Sequence, residues 1–210
     1  MGLALTAREF ICEPPVAPPA RRKRVTSEID AATLERCLAG DRHALERFVL
    51  QYQDLVFAFL SRMVGRGPHV EDLAQEVFLR AHKALPRFQP RADVRVSTWL
   101  LRIAVRLVQD ARKRPRPVMV QLSDDLAGDE RAHPEREHRR REIARAFERA
   151  AGALPDDQRV VFVLAQFHGL SMAQIAATLD VPVNTAKTRL HRARERLREL
   201  LGAILESDHG

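Results

Sequence analysis

The sequence predicts an all-α fold of two small helical domains joined by a flexible linker, and three observations carry that expectation. Apolar residues recur at spacings of three and four over long stretches, the period of a helix with one buried face. Aromatics are only 5% of the 210 residues, and Gly and Pro gather in clusters instead of being spread evenly, which disfavours a sheet protein. Residues 115–134 hold Pro115, Pro117, Gly128 and four acids without an apolar period, so they read as the linker.

The elements follow in order. Residues 1–27, with Pro14, Pro15, Pro18, Pro19 and the basic run Arg21 to Arg24, read as a disordered tail. Ser27 at its end is placed to cap a short helix carrying Ile29, Leu34 and Leu38, which stops at Gly40. Asp41 caps a longer helix whose apolar stripe runs from Ala44, Leu45, Phe48 and Val49 through Tyr52, Leu55, Val56, Phe59 and Leu60 to Met63. Gly65-Arg66-Gly67-Pro68 breaks it. A third helix has Val70, Leu73, Ala74, Val77, Phe78 and Ala81 on its apolar side. Pro86 and Pro90 bracket a basic loop containing Phe88, and Ser97 or Thr98 opens a fourth helix that Pro115 and Pro117 cannot continue. Beyond the linker, a highly charged helix is expected over roughly 135–152. Pro155 then starts a segment ending at Gly169. Ser171 opens a short helix, Asp180-Val181-Pro182 forms a turn, and a final helix runs from about Val183 to Leu205.

Composition excludes several classes. With 45% hydrophobic residues there is enough apolar material for real cores. The longest apolar runs, such as Val160 to Ala165, are too short to span a bilayer, and the N-terminus lacks the basic-then-apolar pattern of a secretory signal. Two cysteines, Cys12 and Cys37, without a CxxC exclude a disulfide framework and suggest a reducing cytoplasm. The net charge of +7 is concentrated: residues 81–120 hold ten Lys/Arg against two Asp/Glu. A second basic cluster runs through Lys187, Arg189, Arg192, Arg194, Arg196 and Arg198. Two separated basic patches suggest a polyanion held at two points, most often nucleic acid.

Three motifs carry the functional reading. From Leu170 to Leu197, a short helix with Ile175, Ala176 and Leu179 meets a three-residue turn and a basic helix, the layout of a helix-turn-helix. On that last helix Ala186, Leu190, Ala193 and Leu197 share a narrow arc that faces the core. The opposite arc holds Asn184, Lys187, Thr188, His191 and Arg192, side chains suited to base edges and phosphates, with Thr185 near the helix start. The fourth helix leaves free only a stripe with Arg102, Arg106 and Lys113, which suggests phosphate tracking. Phe88, among Arg87, Arg91 and Arg95, suits an unstacked base, whereas Trp99 is assigned to the core. The third helix instead carries an acidic stripe of Glu71, Asp72, Gln75 and Glu76, a docking face for a basic or polar protein.

Two sets of residues then resemble a known family. Glu71-Asp72-Leu73-Ala74-Gln75-Glu76-Val77-Phe78-Leu79, then Phe88, then Ser97-Thr98-Trp99-Leu100-Leu101-Arg102-Ile103-Ala104, resembles region 2 of bacterial sigma factors. Leu154 to Arg159, His168-Gly169-Leu170-Ser171, Ile175-Ala176 and Thr185 to Arg194 are similar to their region 4. The order and separation resemble the small extracytoplasmic-function (ECF) group over about residues 28–202. The resemblance implies region 2 at 28–114 and region 4 at 135–205. It implies that Asp72, Gln75 and Glu76 dock on the clamp of RNA polymerase. Phe88 and its loop, with Arg91, Arg102, Arg106 and Lys113, would engage the −10 element. Lys187, Thr188 and Arg192, flanked by Asn184, Thr185 and His191, would read the −35 element.

Partners implied are core RNA polymerase through its β′ clamp and β flap, promoter DNA and an anti-sigma factor. Three positions depart from the family pattern: Arg106 stands for asparagine, Gln174 for glutamate and Asn184 for glycine. No cofactor is expected and no catalytic motif is present, neither Walker loop, GxSxG nor HExxH. His133 and His138, five apart and split by Pro134, make a poor metal pair. Two other readings are a free-standing helix-turn-helix regulator and a protein whose basic patches merely bind RNA. Neither requires an acidic stripe beside a basic helix.

Overall fold

The computed structural model describes residues 28–89, 95–113, 142 and 145–207. The tail, the linker and the His133–His138 pair lie outside them. Helix α1 spans Ala31–Leu38. Its cap is Asp30, not the expected Ser27: the Asp30 carboxylate accepts the Thr33 amide at 2.8 Å and the Thr33 hydroxyl at 2.7 Å. These bonds hold the Asp30 pKa below its ordinary value. Helix α2 spans Arg42–Val64 and is capped by Asp41, which accepts the Ala44 amide at 2.9 Å. Its stripe is buried at Phe48, Tyr52, Val56, Phe59, Leu60 and Met63, but Val49 sits at its edge and is exposed.

Gly65 and Gly67 turn the chain at φ 85° and 148°, and Pro68 opens α3, Pro68–Ala84. A 3₁₀ turn, Leu85–Arg87, continues it. Helix α4 spans Val96–Lys113. Helices α2, α3 and α4 pack on one another, and α1 lies against α2. Each fully buried aliphatic or aromatic side chain in this bundle contributes about 1.5–3 kcal/mol of transfer free energy.

Residues 145–152 form α5. Helix α6 spans Asp156–Gln166, α7 Met172–Leu179 and α8 Val183–Ser207. Val160, Val161 and Leu164 of α6, Ile175 and Ala176 of α7, and Ala186, Leu190, Ala193 and Leu197 of α8 are buried. The two helical halves also touch: α7 packs on α4, and α6 on α2. Among the described residues there is no strand, and no helix is long and apolar enough to cross a membrane.

Candidate nucleic-acid interface

Local chemistry sets the geometry of the helix-turn-helix. Ser171 and Gln174 form a reciprocal cap: the Gln174 amide donates to Ser171 Oγ at 3.2 Å, and the Ser171 amide donates to Gln174 Oε1 at 2.9 Å. Gln174, one of the departures from the family pattern, therefore keeps the capping function. Asp180 ends α7 in the left-handed region at φ 55°, and its amide returns to the Ala176 carbonyl. A short acid tolerates that conformation better than a branched residue. The turn aims α8 so that Ala186, Leu190, Ala193 and Leu197 face inward. Asn184, Lys187, Thr188, His191 and Arg192 all face solvent, and Thr185 is half-buried. The Thr188 hydroxyl donates to the Asn184 carbonyl at 2.9 Å, and His191 lies 3.4 Å from Glu195. Arg189, part of the basic cluster, is instead held 3.2 Å from Asp157 at the start of α6.

On α3, Asp72 and Gln75 are exposed and Glu76 is half-buried. Glu76 accepts from Arg80 Nε at 2.7 Å, and Arg80 Nη1 lies 3.6 Å from Asp110 of α4. Leu79 falls on the same face and is 54% exposed. The acidic stripe thus has an apolar residue at its C-terminal end, a composition suited to a protein partner.

The basic face of α4 is less uniform than its periodicity suggests. Arg106 is exposed, but Arg102 is half-buried, with its Nε shielded and lacking an acceptor among the described residues. Phe88 corrects the expectation of a displayed aromatic: it is 9% exposed, its ring centroid 4.8 Å from that of Trp99. Burial against the bundle outweighed the basic, proline-flanked context that suggested a loop. Trp99 is partly buried beside it, consistent with a core role. Arg91 and the Lys113 side chain lie outside the described residues.

Two family matches cover these two halves in order. Residues 48–117 match the family described as Sigma-70 region 2, and residues 144–197 match Sigma-70, region 4. The RNA polymerase sigma-H factor of Pseudomonas aeruginosa is 34% identical over 191 residues, covering 86% of this chain and 98% of that protein. The ECF RNA polymerase sigma-E factor of Escherichia coli K12 is 35% identical over 176 residues, covering 79% of this chain and 91% of that protein. The chain belongs to the ECF sigma factors. Among solved structures, CnrH in complex with the cytosolic domain of CnrY is similar at a TM-score of 0.60 and 26% identity, covering 82% of this chain and 96% of that one. The sigma factor RpoE, in complex with the anti-sigma factor NepR from Bartonella quintana, shares the fold at a TM-score of 0.59 and 23% identity, covering 75% and 96%.

Arg62, Arg159 and His168, which periodicity did not single out, help to join the sigma factor's two regions. Arg159 of α6 donates to the Met63 carbonyl at the end of α2 at 3.2 Å, to the Leu154 carbonyl at 3.1 Å and to that of Gly152. Its burial lowers the guanidinium pKa. The Arg62 guanidinium stands 4.3 Å from the Phe167 ring centroid, within cation–π range. His168 meets Phe59 edge-on at 5.8 Å. Its Nε2 is shielded without a partner among the described residues, and burial, with Arg62 nearby, pushes its pKa down to about 3. A small cavity between the regions is lined by Glu28, Arg95 and Ser97 on one side and His168, Leu170 and Gln174 on the other. A histidine following an apolar helix gives no sequence signal of an interface. Its contact partners lie about a hundred positions away.

Proposed function

We propose that this chain directs core RNA polymerase to promoters by docking through α3 and reading DNA through α4 and α8. Family membership supplies promoter-specific initiation of transcription. The arrangement of side chains supports how the work is divided. The observation that carries the reading is the coexistence of two surfaces of opposite character. Asp72, Gln75 and Glu76 lead along one face of α3 to the exposed Leu79, whereas Lys187, Thr188, His191 and Arg192 line the solvent face of α8. The first suits a basic protein surface with an apolar pocket, the second a major groove.

Arg106, exposed on α4, is the −10 contact that the geometry favours most. Arg102, Arg91, Lys113 and Phe88 are secondary candidates, and Phe88 must leave its packing on Trp99 to meet a base. Solved relatives named with an anti-sigma factor or a partner's cytosolic domain support a similar inhibitor for this chain, which acts in the cytoplasm. A free-standing helix-turn-helix regulator gives no role to the acidic face of α3. Run-off transcription with core polymerase, with and without the protein, tests the reading: promoter-dependent transcript is expected only when it is added. Equal transcript in both reactions would overturn it.

A further inference from the structure

We propose that Val183, the first residue of α8, is a base-reading residue whose isopropyl group packs on the 5-methyl of a thymine in the −35 element. The proposal rests on the assignment of α8 to that element. Val183 is 40% exposed, and a single apolar residue at a protein surface is ordinary. Its place is not. The Ala186 amide donates to the Pro182 carbonyl at 3.1 Å, so Val183 heads the first turn of the recognition helix. In a helix-turn-helix it is the N-terminal residues of that helix that meet base edges in the major groove. The other large apolar side chains exposed among the described residues lie elsewhere: Val49 and Leu50 on α2, Leu79 on α3 and Phe167 after α6.

The fold does not need this side chain. Leu179 and Val181, just before it, pack against the core, and Ile175, Ala176, Ala186 and Leu190 fill the seam between α7 and α8. The angle of α8 is therefore set without Val183. Instead Val183 begins a row with Lys187 and His191 at four-residue spacing, all three exposed, each about 40° further round the helix than the last. A parallel row runs through Asn184, Thr188 and Arg192, where the Thr188 hydroxyl is bonded to the Asn184 carbonyl. The amide and cationic side chains of these rows suit the donors and acceptors of base edges. The thymine methyl is the apolar group that the major groove displays, and an apolar side chain is what meets it. An isopropyl group also excludes water without offering a hydrogen bond. At the same spot it leaves a cytosine or adenine amino group, or a guanine O6, without a partner, which penalises the other bases.

The test uses the full chain in holoenzyme with core polymerase. A preferred −35 site is selected from a library, and each of its thymines is replaced in turn by deoxyuridine, which removes the 5-methyl and leaves base pairing intact. The unaltered protein is expected to lose affinity about fourfold at one thymine, the effect of taking about one methyl group out of water. That thymine should lie within about two base pairs of the position relaxed by Lys187→Ala, since one helical turn separates the two side chains. Val183→Ala is expected to bind the thymine site about as weakly as the unaltered protein binds the deoxyuridine site, and to be insensitive to the replacement. Val183→Ile should stay sensitive. Circular dichroism is expected to be unchanged in both, because the position is exposed. Equal sensitivity in Val183→Ala would overturn the proposal and make Thr188, the other exposed methyl-bearing side chain on this arc, the reader. A holoenzyme that prefers particular −35 sequences but ignores every methyl would overturn it as well, leaving the assignment of α8 intact. A holoenzyme with no −35 preference at all would overturn that assignment and the Val183 contact with it.

Discussion

The Tyr52 hydroxyl donates to the Glu28 carboxylate at 3.0 Å and accepts the Ile29 amide at the same distance. The same carboxylate accepts the Ser97 amide and hydroxyl at the head of α4. One acid thus joins the segment before α1, the middle of α2 and the N-terminus of α4, where a negative charge also meets the helix dipole favourably. Burial, the largest cause, pushes the Tyr52 pKa up despite the Ile29 amide.

Tyr52→Phe is therefore expected to destabilise region 2 by about 1–3 kcal/mol, because it leaves the Ile29 amide without its acceptor and the Glu28 carboxylate with one donor fewer. Trp99 is the only tryptophan in the chain and lies in region 2, so urea unfolding followed by its fluorescence isolates that half. An unchanged midpoint would show that water replaces the hydroxyl without loss.

The helices and their faces were largely legible because periodicity, caps and glycine breaks are local. Asp41 caps α2, Gly65 to Pro68 separate α2 from α3, and Ser171 opens α7 as the sequence implied. What escaped was non-local. Glu28 reaches Ser97 across 69 positions, and Arg159 reaches Met63 across 96; no spacing rule links them. Phe88 escaped for the converse reason. Its neighbours in sequence are basic and proline-rich, but its neighbour in space is Trp99.

Glu76 tests the docking face. Its pairing with Arg80 leaves the acid half-buried and ordered before any partner arrives, so little side-chain entropy remains to be lost on docking. Glu76→Lys is expected to weaken binding of core polymerase at least about tenfold through charge repulsion, while circular dichroism stays unchanged. Unaltered affinity in the folded variant would exclude this face from the contact.

Acid should weaken the contact between the two regions. The His168 pKa is about 3 where its ring packs edge-on against Phe59 of α2, against about 6.5 for a solvated imidazole. A state with the ring in water therefore takes up a proton first, so the contact is favoured fully above pH 6.5 and progressively lost between 6.5 and 3, by up to about tenfold per unit. Arg62 on α2 opposes protonation, while Glu28 and Arg95 line the same cavity with opposite signs. The distance between spin labels at Gln109→Cys on α4 and Ala153→Cys before α6, in a Cys12→Ser background, is expected to lengthen between pH 7.5 and 5.5. His168→Gln should flatten that response; an equal response in that variant would assign the effect elsewhere.

The proposed −10 role of Arg106 is open to a single substitution. It is an exposed cation with five donors and no acceptor, where the family pattern has an amide that does both. A guanidinium attracts phosphate regardless of sequence, so Arg106→Asn is expected to weaken binding in general and sharpen base preference at the −10 element. Selection from a promoter library reads both effects. Identical preferences for the two proteins would remove Arg106 from the base pocket.

The recognition helix allows base reading to be separated from backbone tracking. Arg192 is exposed on the arc with Lys187 and Thr188, opposite Ala186, Leu190, Ala193 and Leu197. Arg196 is also exposed, but its Nη1 is bonded to Glu199 at 2.9 Å, one turn further along α8. Removing a base contact should cost about 1–3 kcal/mol of discrimination at one position of the site. Removing a phosphate contact should weaken all sequences alike and reduce the salt slope by about one unit. Arg192→Ala is expected to behave as the first kind and Arg196→Ala as the second, since the Glu199 pairing leaves Arg196 a weaker and less directional claim on DNA. Leu190→Asp is the control for fold: it places an unpaired charge in the core of region 4 and should abolish both behaviours. Trp99 fluorescence in region 2 should remain native in that variant. Libraries of −35 sequences titrated at two salt concentrations decide between the arginines. Uniform weakening by Arg192→Ala, with no position singled out, would mean that α8 follows the backbone and that sequence is read elsewhere.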